Sequence, residues 1–148
     1  MQTEERFALN LILDKKQRLL MLLRSPEAKL GPSQWGLPAG KIEADESPRE
    51  AAEREMAEEI GKAYSTKCIR YYGPVRDTYY GGKYEIHLFQ HEWEQGKITL
   101  NKEHTEYAWV SKEQISTMDV MLGIEEDIAI LEIWPKEYLN SNRIPQDL

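Results

Sequence analysis

The chain reads as a single mixed α/β unit, and three features of its 148 residues carry that reading. Apolar runs of strand length, separated by turn residues, recur along most of the sequence. One central stretch, Arg49 to Ile60, is rich in strong helix formers and contains neither Gly nor Pro. A second stretch with helical periodicity lies toward the C-terminus. Strands interrupted by one central and one C-terminal helix suggest a sheet covered on both faces.

The elements follow in order. Residues 7–13 and 19–23 are apolar runs separated by Asp14, Lys15, Lys16 and Gln17, which predicts two strands and a turn. Residues 25–36 hold Pro, Gly and Ser and read as loop. The central helix is defined by its ends. Ser47 is a good N-cap, Pro48 suits the first helical position, and Glu50 three residues after Ser47 completes a capping box. Gly61 is the natural stop. Residues 66–72 predict a strand ended by Gly73 and Pro74. Gly81 and Gly82 form a hairpin turn before a long strand over 84–93, and Gly96 separates that strand from Ile98, Thr99 and Leu100. Residues 107–110 predict another strand, and Ser111 caps a short helix through Ser116. Residues 123–134 predict a final helix with Ile124, Ile128 and Leu131 on one face and Pro135 just beyond. Residues 136–148 show little pattern and read as a loose tail or a partner-contacting arm of the same domain.

Composition narrows the functional classes. A hydrophobic content of 41% and a charged content of 30% suit a globular protein in water. No apolar run approaches the roughly 18 residues of a membrane span, and the opening Met1-Gln2-Thr3-Glu4-Glu5 is acidic and polar, unlike a signal peptide. The single cysteine, Cys68, has no partner for an internal disulfide, which suits the cytoplasm; it reads as a small structural residue. A net charge of −7 argues against broad nucleic-acid binding.

The chemistry is concentrated in the central helix. At about 100° per residue, Glu55, Glu58 and Glu59 fall within roughly 100° of arc. Ala52, Met56 and Ile60 form an adjoining apolar stripe. The carboxylates therefore sit at the rim of the buried face, next to the glycine loop at Gly40. Like charges at this spacing cost roughly 0.2–0.5 kcal/mol per pair in water, and a hard divalent cation, Mg²⁺ or Mn²⁺, reverses that sign. Such ions act on phosphates. An arbitrary acidic helix is usually only a solvated face. Here the pattern Gly-x5-Glu-x7-Arg-Glu-apolar-x-Glu-Glu-x-Gly fixes seven identities, which chance supplies on the order of 10⁻⁵ times per chain.

Gly40, Glu46, Arg54, Glu55, Met56, Glu58, Glu59 and Gly61 give this stretch a close resemblance to the Nudix box. Only the last position departs, with Lys62 in place of an aliphatic residue. The preceding Trp35-Gly36-Leu37-Pro38-Ala39 is also similar to the Nudix lead-in. The resemblance implies an α/β/α sandwich with a mixed sheet and an Mg²⁺-dependent hydrolase of pyrophosphate bonds, with Mn²⁺ as a substitute. It implies Glu55 and Glu59 as principal metal ligands, Glu58 sharing that work directly or through water, and the Ala39 carbonyl as a further ligand. Arg54 and Glu46 would orient the loop and helix. Because the family often adds an acidic residue from outside the box, Glu103 is expected as a ligand or general base, with Glu106 as second choice; the base stays open between Glu55, Glu103 and Glu106.

Other residues are weaker candidates. Trp35, Tyr79 and Tyr80 can stack on a base, Gly40 lets the backbone approach a ligand, and one of Arg24, Arg70 and Arg76 can grip a phosphate. His104 is a candidate phosphate contact. His87 and His91 share a strand face and read as ordinary strand residues. The resemblance implies a small nucleotide as substrate, and its markers conflict. Pro38-Ala39-Gly40 looks like ADP-ribose and nucleotide-sugar pyrophosphatases, though Pro74 comes too early for their proline. Tyr79 and Tyr80 look like dinucleoside polyphosphate hydrolases. Nucleoside triphosphates and RNA 5′ ends stay in the set. A homodimer is the family-level expectation. The runner-up function is a Nudix-like nucleotide-binding or regulatory domain without catalysis.

Overall fold

The computed structural model describes residues 5–134. Along the chain these form β1 (Glu5–Leu13), β2 (Leu19–Arg24), β3 (Trp35–Gly36), β4 (Ala39–Lys41), α1 (Pro48–Ile60), β5 (Tyr64–Arg76), β6 (Tyr84–Gly96), β7 (His104–Val110), α2 (Lys112–Ile115) and α3 (Ile124–Ile130). The expected tail and Pro135 lie outside the described residues.

The strands build one mixed seven-stranded sheet in the order β3-β2-β1-β6-β5, with β4 added to β1 and β7 to β2. β1 and β6 run parallel from Glu5↔Tyr84 to Leu13↔Glu92; the other pairings are antiparallel. The centre of the sheet is apolar on both faces because β1 and β2 are continuous apolar runs, whose successive side chains point to opposite sides. Leu11, Leu13, Leu19 and Met21 pack with Ile115, Ile124 and Ile128 on the side of α2 and α3. Ile12, Leu20 and Leu22 pack with Met56 and Ile60 of α1 on the other. Each fully buried leucine or isoleucine of this kind contributes roughly 1.5–3 kcal/mol. The architecture is the α/β/α sandwich the sequence predicts.

α1 forms as its sequence dictates. The Ser47 hydroxyl accepts from the Glu50 N–H at 3.1 Å and the Glu50 carboxylate accepts from the Ser47 N–H at 2.8 Å. Ala51, Ala52, Met56 and Ile60 are buried along one stripe. The helix ends at Gly61, whose φ of 87° is costly for other residues.

Three expectations are corrected. β5 does not end at Gly73-Pro74 but continues to Arg76. β5 is an edge strand, where proline's missing N–H breaks no second ladder, and the register shifts between Tyr72 and Val75 to accommodate it. The last helix is shorter than predicted: Gly123 caps it with φ 98°, and Glu132 in the left-handed region, φ 53°, turns the chain after Leu131. The 25–36 loop closes on a short strand, β3, through the pairs Leu22↔Gly36 and Leu23↔Trp35.

Candidate active site

One face of α1, the turn into β4 and the entry to β7 converge at one end of the sheet. Asn10 fixes the first two together. It is fully buried in the middle of β1, donates to the carbonyls of Pro38 and Ala52, both at 3.2 Å, and lies 2.8 Å through Oδ1 from His91 Nε2. The backbone leading to Gly40 is thus tied to α1. Burial lowers the His91 pKa to about 4, so the ring stays neutral and donates to Asn10.

Glu59 is 1% exposed. Its Oε2 accepts the Ala39 N–H at 2.9 Å. Burial, with Glu55 and Glu103 adding negative charge, pushes its pKa to about 9. Burial also raises Glu55, which feels Glu58 and Glu103 as like charges and Arg54 as an opposing one. Glu55 and Glu103 therefore lie close enough to Glu59 to disfavour its charged form, as Glu103 does for Glu55, and a divalent cation removes that cost. The donor set, carboxylates gathered beside a backbone turn, fits a hard dication.

Gly40 is required by space. A Cβ at this position would overlap the Glu55 carboxyl. Arg54 holds the carboxylates from the other side. Its guanidinium donates to both oxygens of Glu46 at 2.6 and 2.9 Å, to the Lys41 carbonyl at 2.9 Å and to Glu55 Oε1 at 2.7 Å, and reaches Glu58 at 3.3 Å. Glu46 is held at about 2 by this fork, aided by the Glu43 N–H. Arg54 and Glu46 thus bind the helix to the end of β4 and to the connection that follows it.

A cleft of about 350 Å³ opens beside these groups. Ala39, Gly40, Glu55 and Glu103 line it, as do Arg24, Tyr79 and Tyr80. Asp77 shapes the loop carrying the tyrosines: its carboxylate accepts from the N–H groups of Tyr80 (2.6 Å), Gly82 (3.1 Å) and Tyr84 (2.8 Å). Thr78 donates to Glu126 of α3 at 2.6 Å, linking the loop to the opposite wall. Asp127 also lines the cleft. It is half-buried, and burial beside Glu126 pushes its pKa well above the ordinary value.

Not every predicted residue reaches the site. Glu58 is exposed and engaged with Arg54. Glu106 pairs with Leu23 within β7, is exposed, and is absent from the cleft lining. Trp35 packs against the core on the α3 side, with its backbone bridged to Val120. Arg70 donates to the Leu131 carbonyl, away from the cleft, whereas Arg76 lines it. His104 does not line the cleft, but it is buried against Glu59, within 4.8 Å of Glu59 and Glu103 ligand atoms. His87 is buried between Tyr71 and Glu85, and Cys68 packs at the edge of the core. Three contributors were missed from sequence: Asn10, Asp77 and the Glu126–Asp127 pair. Asn10 left one signal, a lone amide in an otherwise apolar strand.

Comparison with known proteins bears on this geometry. The model of the NUDIX domain matches residues 5–128. Nucleoside triphosphatase NudI of Enterobacter sp. (strain 638) is 28% identical over 118 residues, covering 74% of this chain and 84% of the relative. NudI of Salmonella newport (strain SL254) is 31% identical over 109 residues, covering 67% and 77%. Among solved structures, the MutT protein from Methanosarcina mazei Go1 superposes with a TM-score of 0.75 at 27% identity, covering 88% of this chain and 94% of that one. A C. elegans Ap4A hydrolase shares the fold at 16% identity, with a TM-score of 0.68 and coverage of 86% and 95%. Among the described residues, no helix is long and apolar enough to cross a membrane.

Proposed function

The chain belongs to the NUDIX domain family, and from that membership we propose a divalent-cation-dependent enzyme that cleaves a pyrophosphate bond in a nucleoside diphosphate joined to a further group. Pyrophosphohydrolysis is the class of reaction that membership carries. The observation supporting a working site here is the mutual proximity of Glu55, Glu59 and Glu103 beside Ala39 and Gly40, at a cleft with room for a nucleotide.

Glu55, Glu59, Glu103 and the Ala39 carbonyl would hold Mg²⁺ or Mn²⁺, with exposed Glu58 acting through water. When bound, the ion supplies positive charge against the diphosphate oxygens and acidifies water. Two carboxylates on the cleft, Glu55 and Glu103, can accept the proton of an attacking water; burial raises the Glu55 pKa above the ordinary carboxylate value, which makes it a stronger base than an ordinary carboxylate. Arg54 holds Glu55 in place, and Arg24, which lines the cleft, would grip a phosphate. Tyr79 and Tyr80 offer aromatic faces to a base. Nucleoside triphosphates head the substrate set because the NudI relatives carry that name; dinucleoside polyphosphates and nucleotide sugars follow.

The test is a panel of these three classes and 5′-triphosphorylated RNA, assayed with Mg²⁺ and with Mn²⁺. One class should turn over well above the rest. Glu59→Gln should lower that turnover by about 10²-fold or more, a loss near 2.7 kcal/mol of transition-state stabilisation, and weaken cation binding while the thermal midpoint survives. Uniformly trivial rates alongside measurable nucleotide binding would instead support a regulatory domain.

A further inference from the structure

We propose that His104, through Nε2, is a direct ligand of the cation alongside Glu59 and Glu103, and that this nitrogen shifts the site's preference from Mg²⁺ toward first-row transition dications such as Mn²⁺. The inference rests on the hydrolase reading for its setting and adds a ligand that the box residues do not contain.

Glu59, Glu103 and His104 each place a ligand atom within 4.8 Å of the other two. The His104 side chain is 0% exposed, and its Nε2 has no hydrogen-bond partner among the described residues. Leaving a buried polar nitrogen without a partner is unfavourable, so its environment calls for one. The tautomer follows from the other ring nitrogen. Nδ1 lies 3.3 Å from Asn101 Oδ1, and the same oxygen accepts the Glu103 N–H at 3.2 Å, which fixes the amide with its oxygen inward. Nδ1 therefore carries the hydrogen, and Nε2 presents a lone pair.

That lone pair faces Glu59 Oε1 at 3.5 Å. The other Glu59 oxygen is already used by the Ala39 N–H, so once Glu59 is ionised Oε1 and Nε2 are two acceptors turned toward each other, a pair that a shared cation would reconcile. Ligand atoms about 2.1 Å from one ion, at angles of roughly 90–120°, stand roughly 3.0–3.6 Å apart. The observed separation fits a shared ion. The arrangement around His104 is that of a supported ligand: one ring nitrogen anchored on a side-chain carbonyl, the other free toward the metal. Local structure produces it. A register shift between Leu23 and Arg24 brings His104 opposite Arg24 at the start of β7, and the Asn101 turn holds it there. Magnesium favours oxygen-only surroundings, whereas an imidazole nitrogen suits later first-row dications better.

The experiment uses the wild-type protein loaded with Mn²⁺ and pulsed electron paramagnetic resonance, which detects a directly coordinated ¹⁴N. Titration calorimetry with Mn²⁺ and Mg²⁺ runs in parallel on wild type, His104→Gln and Asn101→Ala. A ¹⁴N coupling of imidazole type is expected in wild type and should be lost in His104→Gln. The Mn²⁺-to-Mg²⁺ affinity ratio should fall tenfold or more in that variant and by less in Asn101→Ala. An oxygen-only Mn²⁺ spectrum in wild type overturns the assignment whatever the variants do, and so does an unchanged affinity ratio in a folded His104→Gln. If hydrolysis persists with an oxygen-only spectrum, the ligand assignment fails and the hydrolase reading stands. If Mn²⁺ does not bind and no substrate turns over, both fail.

Discussion

A single added methyl group tests the site most sharply at the scale of one residue. Gly40 has ordinary backbone angles, so what it supplies is space: a Cβ would occupy the volume of the Glu55 carboxyl. That carboxyl ends a flexible side chain and can move aside at small cost to the fold. Gly40→Ala should therefore change stability by only about 1 kcal/mol while lowering kcat by about 10²-fold, the usual penalty for a displaced catalytic group. Steady-state kinetics beside thermal melting checks this; a variant with normal kcat would remove Glu55 from the chemistry. Arg54 shows the same economy of placement. One planar guanidinium serves Glu46, Glu55, Glu58 and the Lys41 carbonyl at once, a task that the single ammonium of lysine does not reproduce.

Among the elements, the β5–β6 connection is the one whose order governs substrate handling. Asp77 gathers three backbone N–H groups and so presents Tyr79 and Tyr80 to the cleft. In Asp77→Ala those amides turn to solvent and the loop gains freedom. KM for a nucleotide should rise about tenfold, near 1.4 kcal/mol, with kcat changed far less, and amide exchange should quicken over the loop. An unchanged KM would detach the tyrosines from binding. Elements differ in how legible they were. α1 announced itself because its caps, composition and carboxylate spacing are all local. β5 was cut short because Gly-Pro is a stop in any strand except an edge, and edge position is a property of the finished sheet. The family resemblance ranks Glu103 ahead of Glu106, but the irregular pairing at Leu23 and Arg24, which no residue pattern advertises, accompanies their separation: Glu103 lines the cleft and Glu106 does not. The Glu126–Asp127 pair carries no local signal of the cleft, because only the packing of α3 beside the β5–β6 connection brings it there.

The whole molecule should record the buried carboxylates in its stability. Glu59 titrates at about 9 when folded and metal-free, against 4.5 as a free side chain. Between those values the folded chain holds a proton that the unfolded chain has released, so stability falls as pH rises through that window. Glu55 and Asp127, also raised, act with the same sign. His91 and His104, lowered from 6.5 to about 4, act oppositely: they add stability as pH rises from 4 to 6.5 and are level above it. From pH 6.5 to 9 the carboxylates therefore dominate. Urea unfolding in EDTA should lose on the order of 1 kcal/mol per pH unit there. Saturating Mg²⁺, which binds the deprotonated form, should flatten the slope, so its stabilisation grows with pH. A metal-free protein equally stable across this range would mean that Glu59 is ionised without its cation.

The Asn10 amide joins chain segments 28, 42 and 81 positions away. No early hairpin and no isolated helix can assemble that knot; it closes only once β6 lies beside β1. The pocket's shape is thus a late product of folding, and a nascent chain cannot close this contact until synthesis has passed His91.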